Sequence, residues 1–112
     1  MDLTPLISSD RMVIQAYSAD GFKVSGQSYN TSILIFPDHV EEWSGLIADL
    51  VQYKNDLDVI LYGTGKTVKP LLPSQKMGLH IDAMDTGAAC RTYNVLMAEG
   101  RRVAAALLLP SR

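Results

Sequence analysis

Cysteine is nearly absent from this chain of 112 residues, which contains one thiol, Cys90. A single cysteine excludes an internal disulfide, and its natural interpretation is a reducing compartment. The thiol and the two histidines, His39 and His80, have neither the number nor the spacing of ligands that a zinc site needs. We therefore expect a cytoplasmic protein with no metal and no cofactor.

Long hydrophobic runs and an excess of one charge are also missing. The longest apolar run, residues 103–109, is far shorter than the roughly 20 residues of a membrane helix, so we expect no direct membrane insertion. The first residues have neither the basic nor the apolar region of a secretory signal. The formal net charge of −2 gives no electrostatic case for nucleic-acid binding.

The composition that remains is that of an ordinary globular protein. Hydrophobic residues make up 47% of the chain and charged residues 20%, and the length suits one domain. Residues 1–10 are polar and contain Pro5, so they predict an N-terminal arm. Residues 11–112 predict a single domain.

Apolar patterns predict strands along most of the chain. The continuous runs 32–36, 59–62 and 103–109 are typical of strands buried on both faces. Residues 12–17 and 22–24 flank an Asp20-Gly21 turn, which predicts an antiparallel hairpin. Residues 79–83 alternate between apolar and polar, as a further strand would.

Two helices are predicted between these strands. Asp38 with Glu41 three residues later indicates a cap, and apolar spacing then predicts a helix to about residue 54. Residues 86–98 predict a second helix, closed by Gly100. A strand, a helix and a strand over residues 32–62 predict a parallel crossover. The expected fold class is α/β: a mixed sheet with an N-terminal antiparallel hairpin and packed helices.

One short motif resembles the active-site motif of a protease. Asp85-Thr86-Gly87-Ala88 matches the tetrad of aspartic proteases, whose mechanism needs two aspartates and a β-rich core after the motif. Only 24 residues follow the tetrad here, and they predict a helix and a strand. The better interpretation is that Asp85 or Thr86 caps the helix.

A second motif resembles a nucleotide-binding loop. Gly65-Lys66-Thr67 ends like a P-loop, but the required glycine five residues earlier is Ile60, so nucleotide hydrolysis is rejected. A Gly63-Thr64-Gly65 turn after a parallel strand can still present backbone N–H groups to an anion. The favoured alternative is a tight turn that needs a positive φ at one of these glycines.

The start of the second predicted helix carries three groups with chemical potential. For Cys90, an inert core position is favoured over a nucleophile, because neither histidine is near it in sequence. Tyr93 lies on the apolar stripe, so its hydroxyl needs a partner. Arg91 either forms a salt bridge with Asp85 or Glu99, or faces a crevice.

The C-terminal half resembles a known family of small α/β proteins, those related to mitochondrial respiratory complex I assembly factor 3 and to the adipogenesis-associated domain protein. Residues 84–107 carry the specific part of the resemblance, which extends over most of residues 12–109. The motifs are Gly63-Thr64-Gly65, Met84-Asp85-Thr86, Ala88-Ala89, Arg91-Thr92-Tyr93-Asn94, Glu99-Gly100-Arg101-Arg102-Val103 and Ala104-Ala105-Ala106-Leu107. Residues 44–56 and 68–77 are shorter than is usual in the family.

This resemblance implies a compact three-layer domain, a homodimer or higher oligomer, and no established enzymatic activity. The implied function is a non-catalytic interaction or assembly domain that binds a protein partner. It would act with respiratory or other inner-membrane complexes, from the cytoplasm or at the periphery of the inner membrane. No catalytic residue is predicted.

The alternative function is the binding of a small molecule or anion, which would also admit an enzyme. In the family, the Gly-x-Gly turn and the Arg-Thr-Tyr-Asn helix start lie near one crevice. The predicted ligand-binding residues are Gly63, Thr64, Gly65, Asp85, Thr86, Arg91, Tyr93 and Asn94. An Arg91 that faces the crevice without a carboxylate partner would favour this alternative.

Overall fold

The computed structural model of the chain describes residues 11–111, so the predicted arm of residues 1–10 lies outside the described residues. Strands, helix and 3-10 segments follow one another over this range. They are β1 (Ile14–Ser18), β2 (Gly21–Val24), β3 (Gln27–Tyr29), β4 (Ile33–Phe36), β5 (His39–Glu42), a 3-10 segment (Ile47–Tyr53), β6 (Val59–Gly63), a 3-10 turn (Pro73–Lys76), β7 (Ile81–Met84), α1 (Thr86–Ala98) and β8 (Val103–Leu107).

The strands form two sheets, which confirms the α/β class. The larger sheet has the order β5-β4-β8-β6-β7, and it is mixed because β8 pairs antiparallel with β4 and parallel with β6. The N-terminal hairpin of β1 and β2 is confirmed as antiparallel. It belongs, however, to a separate three-stranded sheet that β3 completes.

Three layers result from burial of both faces of the larger sheet. In β4, Ile33 and Ile35 contact one apolar cluster, which also contains residues of α1 and of the three-stranded sheet. Leu34 and Phe36 alternate with them and contact a second cluster, which includes Leu50 of the long 3-10 segment. The prediction that this strand is buried on both faces is therefore confirmed.

Helix α1 begins and ends where the sequence predicts. Asp85 is its N-cap, and the Oδ1 atom of Asp85 accepts the Ala88 N–H at 2.9 Å. At the other end, Gly100 has a φ of +81°, and its N–H donates to the Met97 carbonyl at 3.0 Å. The Arg101 N–H donates to the Leu96 carbonyl at 3.1 Å, which completes a Schellman motif.

The predicted helix over residues 38–54 is wrong. Pro37 and Asp38 form a two-residue turn, after which β5 pairs antiparallel with β4, with Phe36 opposite His39. Gly45 has a φ of +91°, which breaks any helix through it, and helical geometry is limited to the 3-10 segment Ile47–Tyr53. Asp38 therefore caps no helix, and its carboxylate contacts the His39 ring instead.

The predicted parallel crossover between residues 32 and 62 joins different strands from those expected. Because β4 is antiparallel to β8 and β6 is parallel to it, β4 and β6 run in opposite directions. The extra reversal at Pro37 makes β5 parallel to β6, so residues 43–58 cross the sheet from β5 to β6. Two further parallel crossovers follow, from β6 to β7 through residues 64–80 and from β7 to β8 through α1.

Candidate functional site

The Gly63–Gly65 turn and the start of α1 lie in direct contact. The Gly65 N–H donates to Thr86 Oγ1 at 2.8 Å, and the Thr86 N–H donates to the Gly65 carbonyl at 2.9 Å. The buried Thr86 hydroxyl in turn donates to the Leu108 carbonyl at 2.8 Å. The Gly65 amide, predicted to be open to an anion, therefore has a partner within the domain.

Each glycine of the turn has its own structural role, conformational at Gly65 and steric at Gly63. Gly65 has a φ of +103°, as the tight-turn interpretation predicts. A Cβ atom on Gly63 would lie 2.9 Å from Leu107 Cδ2 and 3.0 Å from Thr86 Cα. Only glycine lets β6 end this close to the first turn of α1 and to β8.

Thr64 binds the loop that follows the turn. Its hydroxyl donates to the Thr67 carbonyl at 2.6 Å and accepts the Lys69 N–H at 3.1 Å. Its backbone N–H donates to the Met84 carbonyl at 2.9 Å. Because Thr64 is fully buried, these bonds compensate for the loss of water around its polar atoms.

Cys90 lies in the core, as the favoured interpretation predicts. The residue is 2% exposed and belongs to the apolar cluster between the two sheets. Burial raises the pKa of its thiol to about 12, although the positive charge of Arg91 acts in the opposite direction. The thiol is therefore protonated and unreactive at neutral pH.

Tyr93 and Asn94 hold the first strand against α1. The Tyr93 hydroxyl donates to the Met12 carbonyl at 2.8 Å, and burial of the ring raises the pKa of that hydroxyl. The Asn94 side chain accepts the Ile14 N–H at 3.0 Å and donates to the Ile14 carbonyl at 2.8 Å. Two of the predicted ligand-binding residues thus join the three-stranded sheet to the helix.

Arg91 points to the same strand but remains exposed. Its Nη1 atom donates to the Tyr17 hydroxyl at 2.8 Å. Within residues 11–111 it forms no ion pair, so of the two alternatives for Arg91 the salt bridge to Asp85 or Glu99 is wrong. A groove of about 340 Å³ lies beside Arg91, between β1 and α1, and is lined by Ile14, Gln15, Ala16, Tyr17, Cys90, Arg91 and Asn94.

Tyr17 is the residue of this region that the sequence did not reveal. It is 42% exposed, and a Cβ atom on Gly87 would lie 2.8 Å from its hydroxyl, so the ring reaches over the first turn of α1. Tyr17 and Arg91 are separated by 74 residues in the chain. No local pattern could have indicated their contact.

An exposed histidine lies between two carboxylates at the turn from β4 to β5. His39 Nδ1 contacts Asp38 at 2.8 Å, and its Nε2 contacts Glu41 at 2.8 Å. Partial burial lowers the pKa of His39, but the hydrogen bonds to the two carboxylates outweigh it and raise the pKa above 6.5. The ring also stacks on Phe36, with 4.4 Å between the centroids. The sequence carried a signal for this cluster, since Pro37-Asp38 is itself a turn dipeptide.

Helices that could cross a membrane and clusters of metal ligands are both absent from residues 11–111. Of the helical segments within residues 11–111, none has the length and apolar character needed to cross a bilayer. Over the same residues, no group of three or more His, Cys, Asp or Glu side chains is placed to hold a metal ion.

Comparison with known proteins places this fold among relatives. A crystal structure from Bordetella parapertussis has a TM-score of 0.78 and 35% identity, and covers 88% of this chain and 96% of that one. An uncharacterized protein of Rhodobacter capsulatus is 32% identical over 102 residues, which is 85% of this chain and 82% of the relative.

A third relative has a name that describes a role. The NADH dehydrogenase (ubiquinone) 1 alpha subcomplex assembly factor 3 of Xenopus tropicalis is 29% identical over 117 residues. The match covers 92% of this chain but 64% of that protein, so the chain spans less than two thirds of the assembly factor.

The family assignment rests on most of the described domain. The model of the family described as "Protein of unknown function (DUF498/DUF598)" matches residues 14–108, from the start of β1 to just past β8. This range includes both sheets, α1 and the turn at Gly63–Gly65. The chain belongs to the DUF498/DUF598 family.

Proposed function

We propose that this chain is a non-catalytic interaction domain that binds a protein partner during the assembly of a respiratory or other inner-membrane complex. The observation that carries the proposal is the match of 92% of the chain to an assembly factor for NADH dehydrogenase. We place the domain in the cytoplasm, at the periphery of that membrane, and expect it to form a homodimer or higher oligomer.

The use of the helix-start motif supports a scaffold with a binding surface. Arg91 and Asn94 bind β1 and Tyr93 binds Met12 just before it, so these motif residues form the junction between the three-stranded sheet and α1. The function of such a domain would then depend on what its outer surfaces bind.

Exposed apolar side chains also support protein binding. Leu46 and Leu72 are 61% and 65% exposed, in the two loops that cover the sheet face opposite α1. Val68 and Met77 in the second loop are also about half exposed. Apolar groups held in water on one side of a domain favour association with another protein.

The test is purification of the tagged chain from native membranes after mild cross-linking, followed by native electrophoresis and mass spectrometry. We expect the chain to migrate with incomplete forms of a membrane complex and to be missing from the mature complex. A tagged cytoplasmic protein of similar mass and net charge is the control. Migration of the chain only as a free monomer or oligomer would contradict the proposal.

A second candidate function is the binding of a small anion by Arg91 in the groove between β1 and α1, without the Gly65 amide, which already donates to Thr86. The observation in its favour is the groove beside Arg91, where the guanidinium contacts a neutral phenol. We expect phosphate, sulfate or a dicarboxylate to raise the Tm of the wild-type chain but not that of Arg91→Ala. No increase for the wild-type chain would remove this candidate.

A further inference from the structure

Among the residues that the structure describes, three open grooves meet at Tyr17. One groove, of about 420 Å³, follows the three-stranded sheet past Asp20 and Lys23. The groove beside Arg91 lies between β1 and α1, and the third, of about 500 Å³, lies beside Lys66 near the end of the chain. We call the area formed by Tyr17, Asp20, Lys23, Lys66 and Arg91 the Tyr17 surface.

The Tyr17 surface is basic although the chain is acidic overall. It has three cationic side chains and the single carboxylate of Asp20, whereas the whole chain has a net charge of −2. The nearby carboxylate of Asp85 accepts a hydrogen bond from the Ala88 N–H, as the cap of α1. This local reversal of charge favours a partner that is itself acidic.

Arg91 has hydrogen-bonding capacity for such a partner. A guanidinium has five N–H donors, and among residues 11–111 the partner of Arg91 is the neutral hydroxyl of Tyr17. A carboxylate would bind the same group more strongly, through two parallel hydrogen bonds. Tyrosine and arginine are also the residue types in which binding energy concentrates at protein interfaces.

The shape of the surface suits an extended peptide. The grooves border β1 along its whole length, and a strand of five residues is roughly 16 Å long at about 3.3 Å per residue. An extended peptide segment of about five residues has the same length. Grooves on both sides of an aromatic ring can accept successive side chains of an extended peptide, whereas the surface of a bilayer is flat and would not fill them.

We infer that the Tyr17 surface binds an extended acidic segment of a protein partner, with one carboxylate on Arg91 and another on Lys66, on either side of the Tyr17 ring. The inference rests on the proposed function and names the surface that this function would use. In the complex, the partner's carboxylate takes the place of the Tyr17 hydroxyl as the acceptor for Arg91.

The first experiment selects ligands from a random displayed octapeptide library with the full chain as bait. We expect sequences rich in Asp and Glu. A fluorescein-labelled copy of a selected peptide is then titrated by fluorescence anisotropy, next to a copy in which Asn and Gln replace its acidic residues. We expect the uncharged copy to bind at least about tenfold more weakly.

Matched variants assign the binding to the surface. Arg91→Gln and Lys66→Gln are each expected to weaken binding by about tenfold or more. Arg101→Gln and Lys54→Gln remove the same charge from exposed residues outside the three grooves, and we expect a change of less than about threefold from them.

A structural role for Arg91 is separated from a binding role by two further variants. Tyr17→Phe removes the acceptor of Arg91 but leaves the ring, so we expect binding to stay within about threefold of wild type. Lys66→Gln tests the surface even where Arg91→Gln fails to fold. The urea midpoint of every variant is measured alongside.

Three outcomes would overturn the inference. The first is selection of peptides without acidic residues, or binding that neither Arg91→Gln nor Lys66→Gln weakens. The second is co-sedimentation with phosphatidylglycerol vesicles that depends on these two residues, without peptide binding, which would assign the surface to a membrane. The third is self-association in light scattering that Arg91→Gln abolishes, which would assign it to a second copy.

The inference and the proposed function fail in different ways. If the double variant Arg91→Gln, Lys66→Gln still migrates with a membrane complex as the wild type does, the assigned surface is wrong and the function stands. If the wild-type chain migrates with no complex but binds acidic peptides through Arg91, the surface stands and the function is wrong.

Discussion

Asn94 of α1 holds the backbone of Ile14 in β1 through both polar atoms of its side chain. The carboxamide oxygen accepts the Ile14 N–H at 3.0 Å, and the amino group donates to the Ile14 carbonyl at 2.8 Å. The side chain thus takes the place of a neighbouring strand at this edge of the three-stranded sheet. Together with the Tyr93 bond to Met12, it makes the helix the support of the N-terminal sheet.

Replacement of Asn94 is expected to destabilise the domain. Asn94→Ala leaves the N–H and the carbonyl of Ile14 without their partner, so we expect the free energy of unfolding to fall by about 1–3 kcal/mol. The measurement is urea denaturation followed by circular dichroism. Val95→Ala, at an exposed position on the same helix, is the control and is expected to change stability by less than about 0.5 kcal/mol. Equal stability of the two variants would contradict the assigned role.

A methyl group on Gly63 is expected to separate β6 from α1. The added Cβ would lie 2.9 Å from the Leu107 side chain and 3.0 Å from Thr86 Cα, so we expect Gly63→Ala to cost about 1–3 kcal/mol. Gly26→Ala, measured in parallel, meets no neighbouring atom within 4 Å and carries only the strain of its φ of +89°. A Gly63→Ala variant as stable as wild type would show that the turn is not closely packed.

The Cys90 thiol is expected to be inert in the folded protein. Its pKa of about 12, which burial causes, leaves almost no thiolate at pH 8. We expect Ellman's reagent to release about one equivalent in 6 M guanidinium chloride and to react at least about a hundredfold more slowly with the native chain. Rapid stoichiometric reaction of the native protein would place Cys90 outside the core.

The His39 cluster is expected to add a pH dependence to stability. Because the folded pKa of His39 is raised, its contribution is fully present below pH 6.5 and is lost as the pH rises through the folded pKa. The hydrogen bond from His39 lowers the pKa of Asp38, so that carboxylate stays ionised throughout this window. His39 is 46% exposed, so solvent screening keeps the expected loss under about 1 kcal/mol.

The corresponding measurement is urea denaturation of wild type and His39→Gln from pH 5.5 to pH 8.5. We expect the unfolding free energy of the wild-type chain to fall over this range relative to that of the variant. Parallel curves for the two proteins would show that the contacts with Asp38 and Glu41 do not stabilise the protonated ring.

Elements whose stabilising interactions join residues close together in the sequence were predicted correctly, and those that depend on distant residues were not. Helix α1 was predicted with its correct bounds because its cap at Asp85, its apolar stripe and its terminator at Gly100 all act over a few residues. The strand β8 was predicted correctly as buried on both faces, because the apolar run 103–109 that contains it has no polar side chain for an exposed face.

The helix predicted after Pro37 was wrong because long-range contacts decide the structure of this segment. Val40, Trp43 and Ile47 recur at helical spacing, but the open edge of β4 provides a full set of backbone partners for β5. Trp43 then packs on Tyr62, with 5.7 Å between ring centroids and an edge-to-face angle of 87°. Neither β4's edge nor Tyr62 is visible within the local window that suggested a helix.

The features of the candidate site also separate into those that local sequence predicts and those that depend on distant contacts. By itself, the sequence determined that Asp85 or Thr86 caps a helix, that Cys90 and Tyr93 face the core, and that Gly63 and Gly65 form a tight turn, since these depend on local spacing and backbone sterics. Only the tertiary structure decided that Arg91 contacts Tyr17 and that Asn94 binds Ile14. Those contacts join residues that lie 74 and 80 positions apart, and such pairs meet only when the two sheets pack on α1.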